Sequence, residues 1–277
     1  FRQRDDHYFH QIVTPRYKKA MSAHLVGRAE GKVIATIGTW GDQCIGMRES
    51  DGRWTLFPMI HGKFKYLNIH PKDPNIIYID RFRTRDKGRA WTRLKRSVSA
   101  ISEKPIGRIY ALESGVNENT TNIFVSDDDG ESWRLLLDSV PVVVNKINKL
   151  VLDPHDADRI YLATHKGVLL YDGKSWALKD NKHGLARDQF GLMYVSALVA
   201  DPSRQGHLIA GKAAPGRGMS NGVFASDDGG ERWYSISGNL GDSLYVWSLF
   251  LDTWDGVIYA GTDRGLMKLD LDTKGCC

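Results

Sequence analysis

The chain of 277 residues is poor in cysteine and proline and has no long apolar run. Three cysteines, Cys44, Cys276 and Cys277, are too few for a disulfide framework. With no Cys-x-x-Cys pair among them, they point to no structural zinc site. The best apolar stretch, Leu135 to Val144, is broken by Asp138 and Pro141, so no segment has the length of a membrane-crossing helix. Long amphipathic helical patterns are also scarce. What is plentiful is glycine, with 28 residues, and the strand-forming aromatics, with 8 Trp and 11 Tyr. A hydrophobic content of 42% beside 26% charged residues belongs to a globular chain and not a disordered one. Together these counts indicate an all-β domain.

Acidic residues are scarce in one part only. Residues 1–108 hold 22 Lys/Arg against 10 Asp/Glu, whereas the remainder holds 16 against 23. The net charge of +5 therefore hides a basic first third and an acidic remainder. Such polarity suits a polyanion or a neighbouring subunit of opposite sign, and equally two unevenly solvated faces. The chain starts at Phe1 without a signal-peptide pattern and ends on Cys276-Cys277, and it reads as a processed or truncated piece. The double-cysteine end suits a lipid attachment or a link to another chain.

Internal repeats carry the fold argument. The segments KVIATIGT (32–39), NIIYID (75–80), GRIYAL (107–112), DRIYLAT (158–164), GHLIAGK (206–212) and DGVIYAGT (255–262) are short apolar strands of one kind. A second strand precedes most of them, as in LNIHPKDP (67–74), LVLDPHDAD (150–158) and LVADPSRQG (198–206). There proline ends the strand, because it cannot donate to a ladder, and starts the turn. A third strand follows, then a turn closed by tryptophan. Ser126-x-Asp128-x-Gly130-x-x-Trp133 and Ser226-x-Asp228-x-Gly230-x-x-Trp233 share one octapeptide, and Thr84-x-Asp86-x-Gly88-x-x-Trp91 matches it with threonine for serine. Asp172-Gly173-x-x-Trp176 and Ser50 to Trp54 are worn copies. Ser and Asp side chains bond turn backbone, Gly supplies a positive φ, and Trp packs across the hairpin.

This octapeptide resembles the Asp-box, or bacterial neuraminidase repeat, of Asp-box β-propellers. Around it, the Asp-Pro and Ile-Tyr-Ala-Thr pattern looks similar to sortilin, photosystem II assembly-factor and xyloglucanase propellers. The resemblance covers about residues 20–275. It implies an all-β, six-bladed β-propeller of four-stranded blades. The sixth unit, Tyr245 to Lys274, has three strands, so a strand at Phe9 to Val13 is expected to complete it and leave no open edge. Residues 1–20 would form the arm and closing strand, 21–275 the propeller and 276–277 the Cys-Cys end. Seven blades, or a fragment of a larger propeller, is the alternative.

By the same resemblance the Asp-box turns lie away from the usual ligand face. That face would carry the loops leading into each first strand and those between second and third strands. Its candidate residues are Trp40, Asp42, Glu113, His165, Asp188, Tyr194, Arg217, Tyr245, Asp263 and Arg264. Arg81, Arg83 and Arg85, at strand spacing, share one side of a strand and with Arg89 form a candidate polyanion or partner contact, or a solvated outer strand. Without interleaved aromatics, nucleic acid is an unfavoured partner. No histidines have helical metal-ligand spacing, and Asp127-Asp128-Asp129 belongs to a turn that needs no metal, so no metal or cofactor is expected. Asn119-Thr120-Thr121 is a glycosylation sequon.

A sialidase-type site needs an arginine cluster, a Tyr/Glu nucleophile and an Asp acid, and the Arg-Ile-Pro segment of sialidases is missing here. A xyloglucanase-type site lies between two propellers, and this chain offers one. The expectation is therefore a non-catalytic propeller that binds protein subunits of a larger complex or particle. The setting would be extracellular, periplasmic or virion. The alternative is a glycoside hydrolase or lectin that takes a glycan on the loop face.

Overall fold

The computed structural model describes residues 9–12, 22–29, 32–39, 42–48, 54–56, 64–114, 120–141, 147–185, 193–213, 222–240, 244–253 and 256–270. Strand β1 (Phe9–Ile12) is followed by β2 (Ser22–Ala29), β3 (Lys32–Thr39), β4 (Asp42–Arg48) and β5 (Trp54–Leu56), which form one sheet in that order. The next is β6 (Leu67–Ile69), β7 (Ile77–Ile79), β8 (Phe82–Thr84) and β9 (Thr92–Arg93). Then come β10 (Ala100–Glu103), β11 (Ile106–Ser114), β12 (Thr121–Ser126) and β13 (Arg134–Val140). β14 (Ile147–Leu152), β15 (Ile160–Thr164), β16 (Gly167–Tyr171) and β17 (Trp176–Lys179) follow. After them run β18 (Val195–Ala200), β19 (Leu208–Lys212), β20 (Gly222–Ser226) and β21 (Tyr234–Ser235). The last sheet has β22 (Val246–Asp252), β23 (Val257–Thr262) and β24 (Gly265–Asp270), with β1 antiparallel to β24 in the register Phe9↔Leu269 to Ile12↔Leu266. Every pairing is antiparallel; five of the sheets are four-stranded meanders, and the last is a three-stranded meander completed by β1. The fold is an all-β β-propeller.

Apolar residues recur on both faces of these strands because each sheet is sandwiched between two others. One core joins Ile123, Val125 and Tyr110 of β10–β13 to Leu150, Leu162 and Leu169 of the following sheet. Another joins Tyr161, Ala163 and Val168 to Leu198, Leu208 and Phe224. A third joins Ile209 and Val223 to Leu249, Ile258 and Leu269. The core therefore lies between sheets, and each interface removes apolar surface worth roughly 25 cal/mol per Å². Gly211 marks one close approach: a Cβ there would lie 2.6 Å from Val246 Cγ1 of the next sheet. The first strands contact one another in chain order from β6 to β22, and β2 contacts both β6 and β22.

The three octapeptide turns share one hydrogen-bond scheme. Ser226 Oγ accepts from Gly230 N at 2.9 Å and donates to Asp228 Oδ1 at 2.9 Å. Asp228 Oδ1 accepts from Arg232 N at 2.8 Å, and Trp233 Nε1 donates to Gly230 O at 3.0 Å. Ser126 with Asp128, Gly130 and Trp133 repeats this, as does Thr84 with Asp86, Gly88 and Trp91. The φ of +86 to +93° at Gly88, Gly130 and Gly230 is what requires glycine there. The worn copy differs. Asp172 Oδ1 still accepts from Lys174 and Ser175 amides, but the Trp176 ring packs on Tyr171, with centroids 4.9 Å apart.

Candidate binding face

The turns between second and third strands meet the segments that lead into first strands, and together they build one face. Two of these turns are near-copies. In Thr164-His165-Lys166-Gly167, Thr164 Oγ1 donates to Gly167 O at 2.8 Å and accepts from Lys166 N. In Thr262-Asp263-Arg264-Gly265, Thr262 Oγ1 donates to Gly265 O at 2.7 Å and accepts from Arg264 N. The threonine fixes the turn, and its two central residues differ between the copies. This Thr-x-x-Gly spacing stands in the sequence at both turns.

Each turn also anchors a first strand. His165 O accepts from Met193 N at 3.0 Å and Tyr194 N at 3.1 Å, and the His165 and Tyr194 rings stack with centroids 3.8 Å apart. Tyr194 takes a φ of +47°, unusual for a bulky residue, and burial pushes its phenol pKa up. Asp263 Oδ1 accepts from Tyr245 N at 3.0 Å, and the Tyr245 ring stacks on Trp247 at 5.5 Å. Asp80 does the same for the second sheet, accepting from Tyr66 N at 2.9 Å and Lys65 N at 3.2 Å. Burial raises the Asp80 pKa, and these amide bonds act against it. Glu113 is ion-paired with Arg96, whose guanidinium sits 3.6 Å over the Phe124 ring. Burial, then repulsion from Arg81, lowers the Arg96 pKa.

Of the expected face residues, His165, Tyr194, Tyr245, Asp263 and Arg264 fall on these turns and lead-in segments, and Glu113 lies near the end of β11. Asp42 opens β4. Trp40, Asp188 and Arg217 lie outside the described residues, as does the Cys276-Cys277 end.

The arginine stripe divides. Arg83 is buried, its Nη1 donating to Asp129 O at 2.8 Å and its Nη2 to Glu131 Oε1 at 3.1 Å in the next sheet's turn. Arg85 pairs with Asp129 Oδ2 at 2.8 Å. Arg81 and Arg89 are exposed. Lys179 repeats the Arg83 contact two sheets on, paired with Glu231. Among the described residues no three metal-ligating side chains converge. Nor is any helix among them long and apolar enough to cross a membrane.

No protein-family profile matches the chain. Among curated proteins it is similar to a probable oligoxyloglucan-reducing end-specific xyloglucanase of Neosartorya fischeri, 22% identical over 195 residues, which are 61% of this chain and 23% of that protein. The corresponding enzyme of Emericella nidulans is 20% identical over 192 residues, with the same coverage. The match thus spans about a quarter of these relatives' length. Among solved structures, the GH74 xyloglucanase from Xanthomonas campestris superposes with a TM-score of 0.58 at 16% identity, covering 92% of this chain and 46% of that one. A gluconolactonase from the same species gives 0.67 at 12% identity, covering 96% and 90%. YCF48 bound to a D1 peptide gives 0.55 at 13% identity, covering 96% and 83%. These likenesses share the propeller fold with this chain.

Proposed function

We propose that the chain is a non-catalytic propeller of the Asp-box kind that binds other protein subunits of a larger assembly. On this reading the four-stranded sheets are six blades, β1 closes the ring, residues 1–20 are its arm and residues 21–275 its body. The observation that carries the reading is the use made of the face's described carboxylates. Asp80 and Asp263 bond the amides that start first strands, and Glu113 pairs with Arg96. Side chains committed to holding turns make a rigid surface and do not stand as an acid and base across a bond. The surface that remains is aromatic and cationic at Tyr194, Tyr245, Trp247 and Arg264, and the reading adds Asp42 at the start of β4 and, beyond the described residues, Trp40, Asp188 and Arg217. YCF48 is a propeller that takes a peptide, which fits this use. Arg81 and Arg89 offer a second contact for an acidic neighbour. An extracellular, periplasmic or virion setting suits such a module, and no cofactor or metal enters it.

A second reading has its own support. Stacked aromatics such as Tyr245 on Trp247 suit sugar rings, and the curated relatives are xyloglucanases. The two readings separate in one pair of measurements. The native mass of the protein as isolated from its source is expected to show a stoichiometric complex, and Tyr194→Ala with Tyr245→Ala to dissolve it. Xyloglucan oligosaccharides are expected to give no new reducing ends and no rise in melting temperature. A monomer that cleaves or is stabilised by them would replace the assembly reading with the carbohydrate one.

A further inference from the structure

Between the first strands lies a cavity of about 390 Å³, within the roughly 300–1,000 Å³ usual for small-molecule sites. Ile101, Val151, Val199 and Phe250 contribute to its wall, and the turns from Asp153 to Ala157 and at Pro202 form its rim. That rim lies on the side opposite the candidate binding face. Toward that face, Lys65 Nζ donates to Ile147 O at 2.9 Å and ties the segment before β6 to the start of β14.

Lys149 of β14 lines this cavity, and its ammonium makes no hydrogen bond or ion pair with a described residue. The other charged groups of the lining have their own places. Asp153 accepts from Tyr161 Oη at 3.1 Å and lies 3.7 Å from Arg159. The His155 ring is 3.1 Å from Asp201 O, while Glu103 and Lys104 are exposed at the rim. Lys149 is partly exposed to the cavity; an ammonium group half withdrawn from water among apolar walls with no counter-ion is costly, and a ligand that brings the missing anion recovers that cost. We propose that this cavity binds a small apolar carboxylic acid, its hydrocarbon body against Ile101, Val199 and Phe250 and its carboxylate on the Lys149 ammonium.

Burial already pushes the Lys149 pKa down to about 8. Affinity for the anion therefore falls as pH rises through that value, because the free amine has lost its proton. The proposal stands apart from the assembly reading, since it concerns the opposite end of the ring.

Calorimetric titration with decanoate and with 1-decanol tests it. Near pH 7 the wild type is expected to prefer decanoate by at least about tenfold. Lys149→Met should bind the two alike. Lys149→Arg should keep the preference and hold it to about pH 10, where the wild type has lost it. Equal binding of acid and alcohol by the wild type, no binding of either, or an undiminished preference in Lys149→Met would each overturn the proposal. Melting curves of the variants establish that they are folded.

Discussion

Ser226 holds its turn with a single hydroxyl. The Gly230 amide it accepts lies in the buried part of the turn, where water cannot replace it. Ser226→Ala is therefore expected to cost about 1–3 kcal/mol by urea denaturation, the usual penalty for a stranded buried donor. Ser226→Thr keeps the oxygen, as Thr84 does in its own turn, and should cost less. Asp128 adds a pH dependence. Hydrogen bonds from Ser132 and Ser126 hold its carboxyl pKa at about 2, below the ordinary 3.8. A depressed folded-state value means the carboxylate stabilises the fold above pH 3.8, and the contribution is lost as pH falls toward 2. Asp128→Asn should accordingly flatten the melting temperature over that interval relative to wild type. An acid limb unchanged in the variant would assign it to other carboxylates.

The buried Arg83 fork links two sheets. The octapeptide turn is local, so its eight residues announce it, and the alternation of apolar residues announces the strands beside it. The partner of Arg83 is not local: Glu131 lies 48 residues away in another repeat. Spacing placed Arg81, Arg83 and Arg85 on one side of a strand, but β8 ends at Thr84, so Arg85 belongs to the turn and only Arg83 turns inward. The recurrence of glutamate at the sixth position of two octapeptides, Glu131 and Glu231, was the available signal, and it needed Lys179 to be seen as the counterpart of Arg83. Arg83→Met is expected to lower stability by about 1–3 kcal/mol, since two charge-assisted bonds are lost. Arg83→Lys should recover little, because one ammonium cannot replace a fork that reaches both Asp129 O and Glu131. Full recovery by lysine would show that charge alone matters there.

Closure of the ring joins the two ends of the described chain. β24 carries Leu266 and Leu269 in the core, and β1 is its neighbour on the side away from β23. Without β1 the amides and carbonyls of β24 would form an open edge, which invites pairing with another chain. The sequence indicated this only through an incomplete last unit and an alternating segment near the start, because a contact between residues 9–12 and 266–269 leaves no local pattern. Removing residues 1–13 is expected to cost about 2–4 kcal/mol, the net value of a few backbone hydrogen bonds. It should also abolish amide-exchange protection at the alternate residues between Leu266 and Leu269 whose amides face β1, before that of β15 or β19. Loss confined to β24 would mean that β1 acts as a clasp on an otherwise stable ring. Loss throughout the molecule would mean that the sheets fold as one cooperative unit, and undiminished protection at β24 would exclude β1 from the closure.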